Sequence, residues 1–387
     1  VMVWDTDPEK RTAESLEALV NWSDVIFVSV PTPMKPDGSC DISIVEGVVA
    51  DIARIDNSKK VVIKSTVLPG TTERLAKEHN MSIGFNPEFL TEANAYYDFR
   101  NQPLIVLGAD DEGMGNVLAD VFYSFRNHVG YYPHIIQRTT KEAEMFKYLA
   151  NCFLATKVIF ANEFKTLCDT VGVNYSNLAE VAALDTRLGH THWKVPGPDG
   201  KLGFGGSCFP KDVRALASLA AANGVEPRIL RTVDETNNEQ KHVLFRKLMS
   251  YFEGNLKGRT IAVWGLSFKP RTDDIREAPS LVLVRNLLEA GAIVKVHDPV
   301  AQENVHKEIG DAVTYCMHHY DACDGADAIA IVTEWNEFRN PDFDYVKLKM
   351  KTPVIFDGRN LYDRKKMAAR GFYYSGVGLS ALPVASN

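Results

Sequence analysis

At 387 residues, with 45% hydrophobic and 24% charged side chains, the chain has the balance of a soluble globular protein and is too long for one ordinary core, which implies two or three domains. A net charge of −7 argues against a nucleic-acid polyanion as the main partner, and no apolar run approaches the roughly 20 residues needed to span a bilayer. Six scattered cysteines without a C-x-x-C pair indicate neither a disulfide framework nor a zinc site, so a reducing cytoplasm fits best and no metal is expected.

The chain opens on a strand-like run, VMVW, that ends in Asp5. Beginning with Val1 rather than Met, it reads as a fragment whose preceding strand, glycine turn and helix are missing. Residues 24–30 (DVIFVSV), 60–66 (KVVIKST), 82–86 (SIGFN) and 103–108 (PLIVLG) read as short buried parallel strands, β-branched and followed by loop chemistry. Helical stretches at 43–55 and 112–125 separate some of them, so residues 1–138 predict a doubly wound α/β sheet. Residues 139–171 contain no Pro or Gly and space their apolar positions helically, which predicts a long helix that connects domains or lines a dimer interface. Helical sequence at 177–183, a Gly/Pro-rich irregular stretch at 188–206 and further helix to about residue 252 complete a helical middle domain, 139–252. A second α/β unit, 253–387, opens at 259–265 (RTIAVWG) and continues with a helix at 280–290 and strands at 293–297, 328–333 (AIAIVT) and 353–357 (PVIFD). The expected fold class is therefore α/β, with two Rossmann-like doubly wound lobes joined by a long central helix and a helical middle domain. The nearest match to a G-x-G-x-x-G turn, GVGLSA at 376–381, reads as chance.

The densest chemistry lies in GFGGSCFPKD, residues 203–212. Three glycines let a ligand approach the backbone, and a nearby ammonium such as that of Lys211 would favour the thiolate form of Cys208 that attacks carbon. The competing reading is a buried structural cysteine beside a tight turn. Asp5 stands where a dinucleotide-binding lobe places the acidic residue that accepts from the adenosine ribose hydroxyls, which favours NAD over NADP, although Lys10 is close by; the competing reading is a solvated strand-end aspartate. Lys147 and Asn151, four apart on the long helix, share a face and could hold an oxyanion, or be incidental neighbours. Glu88 and Glu92 could be a base and a cofactor contact, or a charged helix start. Arg187 and Arg359 offer forks for phosphate or sugar oxygens, and Phe268-Lys269 follows the first strand of the second lobe, where a base could stack and a phosphate be paired; taken singly each reads as a surface ion pair, and together with the cysteine loop they describe a site for a phosphorylated, sugar-bearing substrate.

In order along the chain, VPTP at 30–33, KST at 64–66, NPEFL at 86–90, Lys147 to Asn151, GFGGSCFPKD, GLSFKP at 265–270, TDDIRE at 272–277 and FDGR at 356–359 resemble the nucleotide-sugar 6-dehydrogenases over almost the whole chain. The resemblance implies two hydride transfers to two NAD molecules, taking a primary alcohol at sugar C6 to a carboxylate. Cys208 would hold the carbon between them as a thiohemiacetal and then a thioester. Lys147 and Asn151 would stabilise the oxyanions, Asp212 and Thr66 would organise a proton-accepting water, and Glu88 would assist thioester hydrolysis. Asp5 and Lys10 would meet the adenosine ribose, Thr32 and Thr66 the dinucleotide, Glu92 the nicotinamide ribose, and Arg276 would reach across from the second lobe. Phe89, Leu90, Lys147, Asn151, Phe204, Gly205, Phe268, Lys269 and Arg359 would hold the sugar nucleotide. Arg187 would come from a neighbouring subunit, implying a homodimer or a higher homo-oligomer. UDP-glucose is the expected substrate, with GDP-mannose as the rival and a non-catalytic nucleotide-sugar-binding remnant as the other alternative. Without the pyrophosphate turn the chain is expected to bind NAD weakly or not at all, and the stretch 190–202 is longer than the resemblance leads one to expect.

Overall fold

The computed structural model describes residues 1–90, 94–197, 202–206, 208–275 and 278–377. The chain divides into two compact units, Val1–Leu154 with Gly206–Arg231, and Ala155–Gly205 with Thr232–Asn387. The helical middle is shared between them: residues 139–154 and 206–231 fall in the first unit, 155–205 and 232–252 in the second.

Among the described residues, the first unit is built on a five-stranded sheet in the order β1 (Val25–Val28), β2 (Lys60–Ile63), β3 (Ser82–Phe85), β4 (Leu104–Gly108) and β5 (His134–Arg138). The strands β1 to β3 are parallel, β4 runs antiparallel to β3, and β5 is parallel to β4. Alternation along the strands sends Val61 and Ile63 to one face, against Val45, Val49 and Ile52 of the helix Ser43–Asp56. Val62 points to the other face, where Leu118 and Phe122 of the helix Glu112–Val129 cover it. Burial on both faces explains why these strands read as near-continuous apolar runs. Each of these buried aliphatic side chains contributes about 1.5–3 kcal/mol.

The segment VMVW does not form the expected strand. A strand needs a ladder partner, and among the described residues β1 pairs only with β2. The Val3 carbonyl instead accepts from Thr12 N and Ala13 N, both at 3.0 Å. The ladders at 24–30, 60–66 and 328–333 also stop sooner than the apolar runs suggest, at Val28, Ile63 and Ile331, and the residues beyond turn across the carboxyl edges of the sheets.

The second unit carries a six-stranded sheet, all parallel, in the order β11 (Tyr373–Gly376), β10 (Val354–Asp357), β9 (Ala328–Ile331), β6 (Thr260–Trp264), β7 (Ile293–His297) and β8 (Thr314–Tyr315). From β6 the chain winds outward first through β7 and β8, then back through β9, β10 and β11. The order thus reverses between β6 and β9, and doubly wound sheets bind ligands outside the carboxyl ends of their strands at such a point.

Gly265, immediately after β6, has φ +90°, and a Cβ there would lie 2.5 Å from Thr333 Cβ and 2.6 Å from Thr333 N. Gly265→Ala therefore combines backbone strain with a backbone clash and is expected to cost the second unit about 2 kcal/mol or more. Urea unfolding followed by tryptophan fluorescence checks this, since Trp264 is the preceding residue; an unchanged midpoint would contradict it.

The long helix runs from Thr140 to Val171. The helical sequence after Asp212 forms three helices, Phe209–Ala222, Arg228–Gln240 and Val243–Tyr251. No helix among the described residues is long and apolar enough to cross a membrane.

Candidate active site

In the first unit the parallel strands β1, β2 and β3 deliver residues 29–32, 64–66 and 86–90 to one carboxyl edge. Ser65 ties the first two turns together: its hydroxyl donates to Val30 O at 2.7 Å and accepts from Val30 N at 2.8 Å. That pairing holds the turns bearing Thr32 and Thr66 side by side.

The long helix supplies the next layer. Glu144 is fully buried and accepts from Gly70 N at 2.5 Å, Thr72 N at 2.8 Å and Thr72 Oγ1 at 2.6 Å, fixing the helix in register against this unit. Burial pushes its carboxyl up to about 7. One turn later, Lys147 is 4% exposed and its ammonium donates to the backbone carbonyl of Glu88 and, at 2.9 Å, to Glu88 Oε2. The same ammonium lies 5.3 Å from the centre of the Phe89 ring, and Leu90 N donates to Glu88 Oε2 at 3.4 Å. Lys147, Glu88, Phe89 and Leu90 therefore form one cluster. Asn151, a further turn along, donates through Nδ2 to Asp212 Oδ2 at 2.5 Å.

Cys208 occupies the N-cap of the helix Phe209–Ala222, and Asp212 N donates to its carbonyl at 2.9 Å. The partial positive charge of a helix N-terminus favours negative charge placed there. Cys208 is exposed while the other five cysteines are buried, which removes the reading of a buried structural cysteine. Burial pushes the Cys152 thiol up to about 12, so it stays protonated and inert.

Lys211 has a second anionic partner besides the expected thiol. Its ammonium donates to Asp212 Oδ1 at 2.6 Å, because a carboxylate only 1% exposed requires a cationic partner. Asp212 thus stands bridged between Asn151 and Lys211. Cys40, Tyr148 and Ala215 pack together beneath this corner, joining the long helix to the cysteine-bearing helix. Thr66 O accepts from the Cys40 thiol at 3.8 Å, which keeps the β2 turn in the same assembly.

Lys64 opens the KST run at 64–66. Its ammonium donates to Asn86 Oδ1 at 2.6 Å, and Asn86 in turn donates to Val106 O at 2.9 Å. Burial pushes Lys64 down to about 8, with Glu88 opposing the shift and Lys147 reinforcing it. Below pH 8 the ammonium is charged in both states and its burial cost is present in full. Between pH 8 and the ordinary lysine value of 10.5 the folded state binds fewer protons than the unfolded one, so stability rises with pH across that window. Lys64→Met is expected to abolish this rise. Urea midpoints of both proteins from pH 7 to 10 test it, and parallel profiles would contradict the assignment.

In the second unit the switch point between β6 and β9 gathers a second set. Phe268 and Lys269 follow β6, with Phe268 N donating to Asp274 O at 2.8 Å. Arg359, after β10, is 7% exposed and donates through Nε to Glu334 Oε2 at 2.7 Å. Its backbone N donates to Asp357 Oδ1 at 2.8 Å; Asp357 is fully buried, and burial raises its pKa. A Cβ on Gly205 would lie 3.3 Å from the Phe268 ring, so Gly205 lets the glycine loop approach that ring. Asn237 pins the loop: its Oδ1 accepts from Phe204 N at 2.7 Å and its Nδ2 donates to Phe204 O at 3.0 Å. No sequence pattern announced Asn237, whose partners lie 33 residues away.

Asp5 is half-buried, accepts from Asp7 N at 2.8 Å and takes the Arg11 guanidinium on its carbonyl. Lys10 pairs with Asp7 at 3.1 Å rather than with Asp5, so it does not cancel the Asp5 carboxylate. Arg187 is exposed and held bidentately by Asp185 at 3.0 and 2.6 Å. Glu92 and Arg276 lie outside the described residues.

Models of one family match the chain in three successive segments. The UDP-glucose/GDP-mannose dehydrogenase family NAD binding domain matches residues 8–126, the central domain 141–239 and the UDP binding domain 262–364. The UDP-glucose 6-dehydrogenase of Pseudomonas aeruginosa is 42% identical over 385 residues, covering 95% of this chain and 83% of that protein. That of Rhizobium meliloti is 38% identical, covering 94% and 84%. Among solved structures, a UDP-glucose dehydrogenase from the hyperthermophilic archaeon Pyrobaculum islandicum superposes with a TM-score of 0.75 at 37% identity, covering 95% of this chain and 83% of that one. With three domain models matched in order and close relatives spanning nearly its whole length, the chain belongs to the UDP-glucose/GDP-mannose dehydrogenase family.

Proposed function

We propose that the chain catalyses the NAD-dependent four-electron oxidation of UDP-glucose to UDP-glucuronate through a covalent intermediate on Cys208. The observation that carries this reading is an exposed cysteine at a helix N-terminus, whose first helical turn bears a buried aspartate bridged to Asn151 and Lys211. The family match and the UDP-glucose 6-dehydrogenases among the relatives supply the substrate class.

Bound NAD would supply hydride acceptance, once in each oxidation. The residues present suit it. The Asp5 carboxylate, with Lys10 engaged elsewhere, suits an unphosphorylated ribose diol. Thr32 and Thr66 stand on the carboxyl edge where a dinucleotide lies, and Glu92 and Arg276 complete the proposed cofactor contacts.

In the first oxidation the C6 hydroxyl gives its proton to a water held by Asp212 and Thr66, hydride leaves C6, and an aldehyde results. Cys208 Sγ adds to that carbon, forming a C–S bond and an oxyanion held by the Lys147 ammonium and the Asn151 amide. Loss of the second hydride from the same carbon turns the thiohemiacetal into a thioester. Water oriented by Glu88 then attacks, the C–S bond breaks, and the carboxylate leaves with Cys208 regenerated. Phe89 and Leu90 would position the sugar. On the second unit Phe268, Phe204 and Gly205 would receive the base and ribose, and Lys269 and Arg359 the diphosphate.

We assign cofactor binding to residues 1–138, the catalytic cysteine and subunit contacts to 139–252, and the sugar nucleotide to 253–387. Phe160, Phe164 and Leu167 of the long helix, with Val181 and Leu184 of the helix Tyr175–Leu184, are all exposed. Such an apolar surface suits a second copy of this chain, which could also contribute Arg187.

Initial rates of NADH formation with UDP-glucose and GDP-mannose in parallel test the substrate. Turnover with UDP-glucose alone is expected. The reverse preference would overturn the assignment.

A further inference from the structure

We infer that the second unit binds a divalent transition-metal ion of the zinc class through His297, His319 and Glu337. His297 closes β7, His319 opens the short helix His319–Cys323, and Glu337 sits in the turn Asn336–Phe338. His297 Nε2 lies 3.3 Å from Glu337 Oε1, and His319 Nδ1 lies 3.1 Å from Glu337 Oε2. One ligand atom from each residue falls within 4.8 Å of the others. Tetrahedral zinc, with bonds of about 2.0–2.1 Å to nitrogen and oxygen, sets its ligand atoms roughly 3.3 Å apart. The two histidine–carboxylate distances match that spacing, each to a different carboxylate oxygen, and an ion would draw together ligand atoms that now lie within 4.8 Å of one another.

With His297 in its neutral form, the hydrogen-bond pattern also suits a cation at this point. His297 Nδ1 is 2.9 Å from the Cys316 carbonyl, which can only accept, so this nitrogen carries the hydrogen. In the neutral ring, Nε2 then presents a lone pair to a carboxylate oxygen that is also an acceptor. A metal ion between them turns two opposed acceptors into two ligands, and a histidine whose second nitrogen donates to a backbone carbonyl is the usual form of a metal-binding imidazole. His319 Nε2 is buried without a partner, so Nδ1 provides that ring's polar contact. Trp264 and Phe338 pack against the His319 ring at centroid distances of 4.9 and 5.6 Å, giving the site an apolar wall. Both imidazoles are buried while the Glu337 side chain is about one third exposed, which leaves a path for the ion and a position for a solvent ligand.

The ion would act as a cross-link. It would join the end of β7 to two segments that follow it by 22 and 40 residues (297 to 319 and 297 to 337). The next residue, Asp298, accepts from Leu266 N at 2.7 Å, Ser267 N at 3.0 Å and Trp335 Nε1 at 2.9 Å, so the same joint supports the turn that leads to Phe268 and Lys269.

The test uses the full chain carrying Cys208→Ser, so that the exposed thiol cannot bind metal, after treatment with a chelator. Cobalt(II) is titrated in and its visible absorption followed, then zinc is added as competitor. One equivalent of cobalt with the strong bands of four-coordinate geometry, displaced by zinc, is expected, together with a thermal midpoint that rises with zinc concentration. Glu337→Gln and His319→Gln should each weaken binding by more than the roughly 10–100-fold typical of losing an outer supporting group. Undiminished binding in both variants, or no stoichiometric binding in the parent, overturns the site. Should either variant fail to fold, X-ray absorption of the metal-loaded parent decides: two imidazoles with oxygen are expected, and a sulfur ligand overturns the site.

Discussion

Cys208→Ser is expected to stop the reaction after the first oxidation, lowering UDP-glucuronate formation by a factor on the order of 10³ or more. A serine hydroxyl in place of the thiol removes the covalent hold on C6, so the aldehyde is not carried to a thioester. Because Cys208 is exposed, the substitution should leave stability unchanged, and a matching urea midpoint would separate lost chemistry from lost folding. Chromatography of the products reads the outcome. Uronate formed at the parental rate would refute a covalent intermediate on this residue.

Asp212→Ala carries the second large effect, on two readouts at once. The carboxylate is 1% exposed and accepts from both Asn151 and Lys211, whose side chains are themselves largely buried. Removing it leaves the Lys211 ammonium in a site 14% exposed without its anion, which should cost about 3–5 kcal/mol. Losing the group proposed to organise the proton-accepting water should lower turnover by roughly 10²–10⁴. Asp212→Asn retains the shape and an acceptor oxygen and should recover part of the stability while leaving the rate low. An Asp212→Asn enzyme with near-parental turnover would exclude a proton-transfer role.

Local features of the sequence were readable in proportion to how locally they are determined. The long helix announces itself because thirty-three residues lack Pro and Gly, and its observed span, Thr140–Val171, begins one residue inside the expected one. Interior strands were legible from β-branched runs buried on both faces. The edge strands β5 and β8 were missed because β5 is largely exposed and β8 is two residues long. β11 was missed too: its YYSG sequence ends in glycine. The antiparallel step between β3 and β4 was missed as well, since strand direction depends on how the intervening chain crosses and not on either strand's composition.

The site follows the same rule. Lys147 and Asn151 could be placed on one helix face by spacing alone, but that one meets Glu88 and the other Asp212 rests on pairings 59 and 61 residues apart. Lys211, three positions from Cys208, also pairs with its immediate neighbour Asp212, a contact that rests on the burial of that carboxylate and not on any sequence pattern. Nothing local in the sequence gives Lys64 or Glu144 a role. What marks them is burial of a charge among partners from other elements, a property only the fold creates.

The central claim is a four-electron oxidation in which one cysteine retains the carbon between two hydride transfers. The most direct measurement is the number of NADH formed per UDP-glucose consumed, taken to completion with product identification. Two NADH per UDP-glucuronate, with no aldehyde released, is the predicted result; one NADH with free aldehyde as the end product would contradict the account.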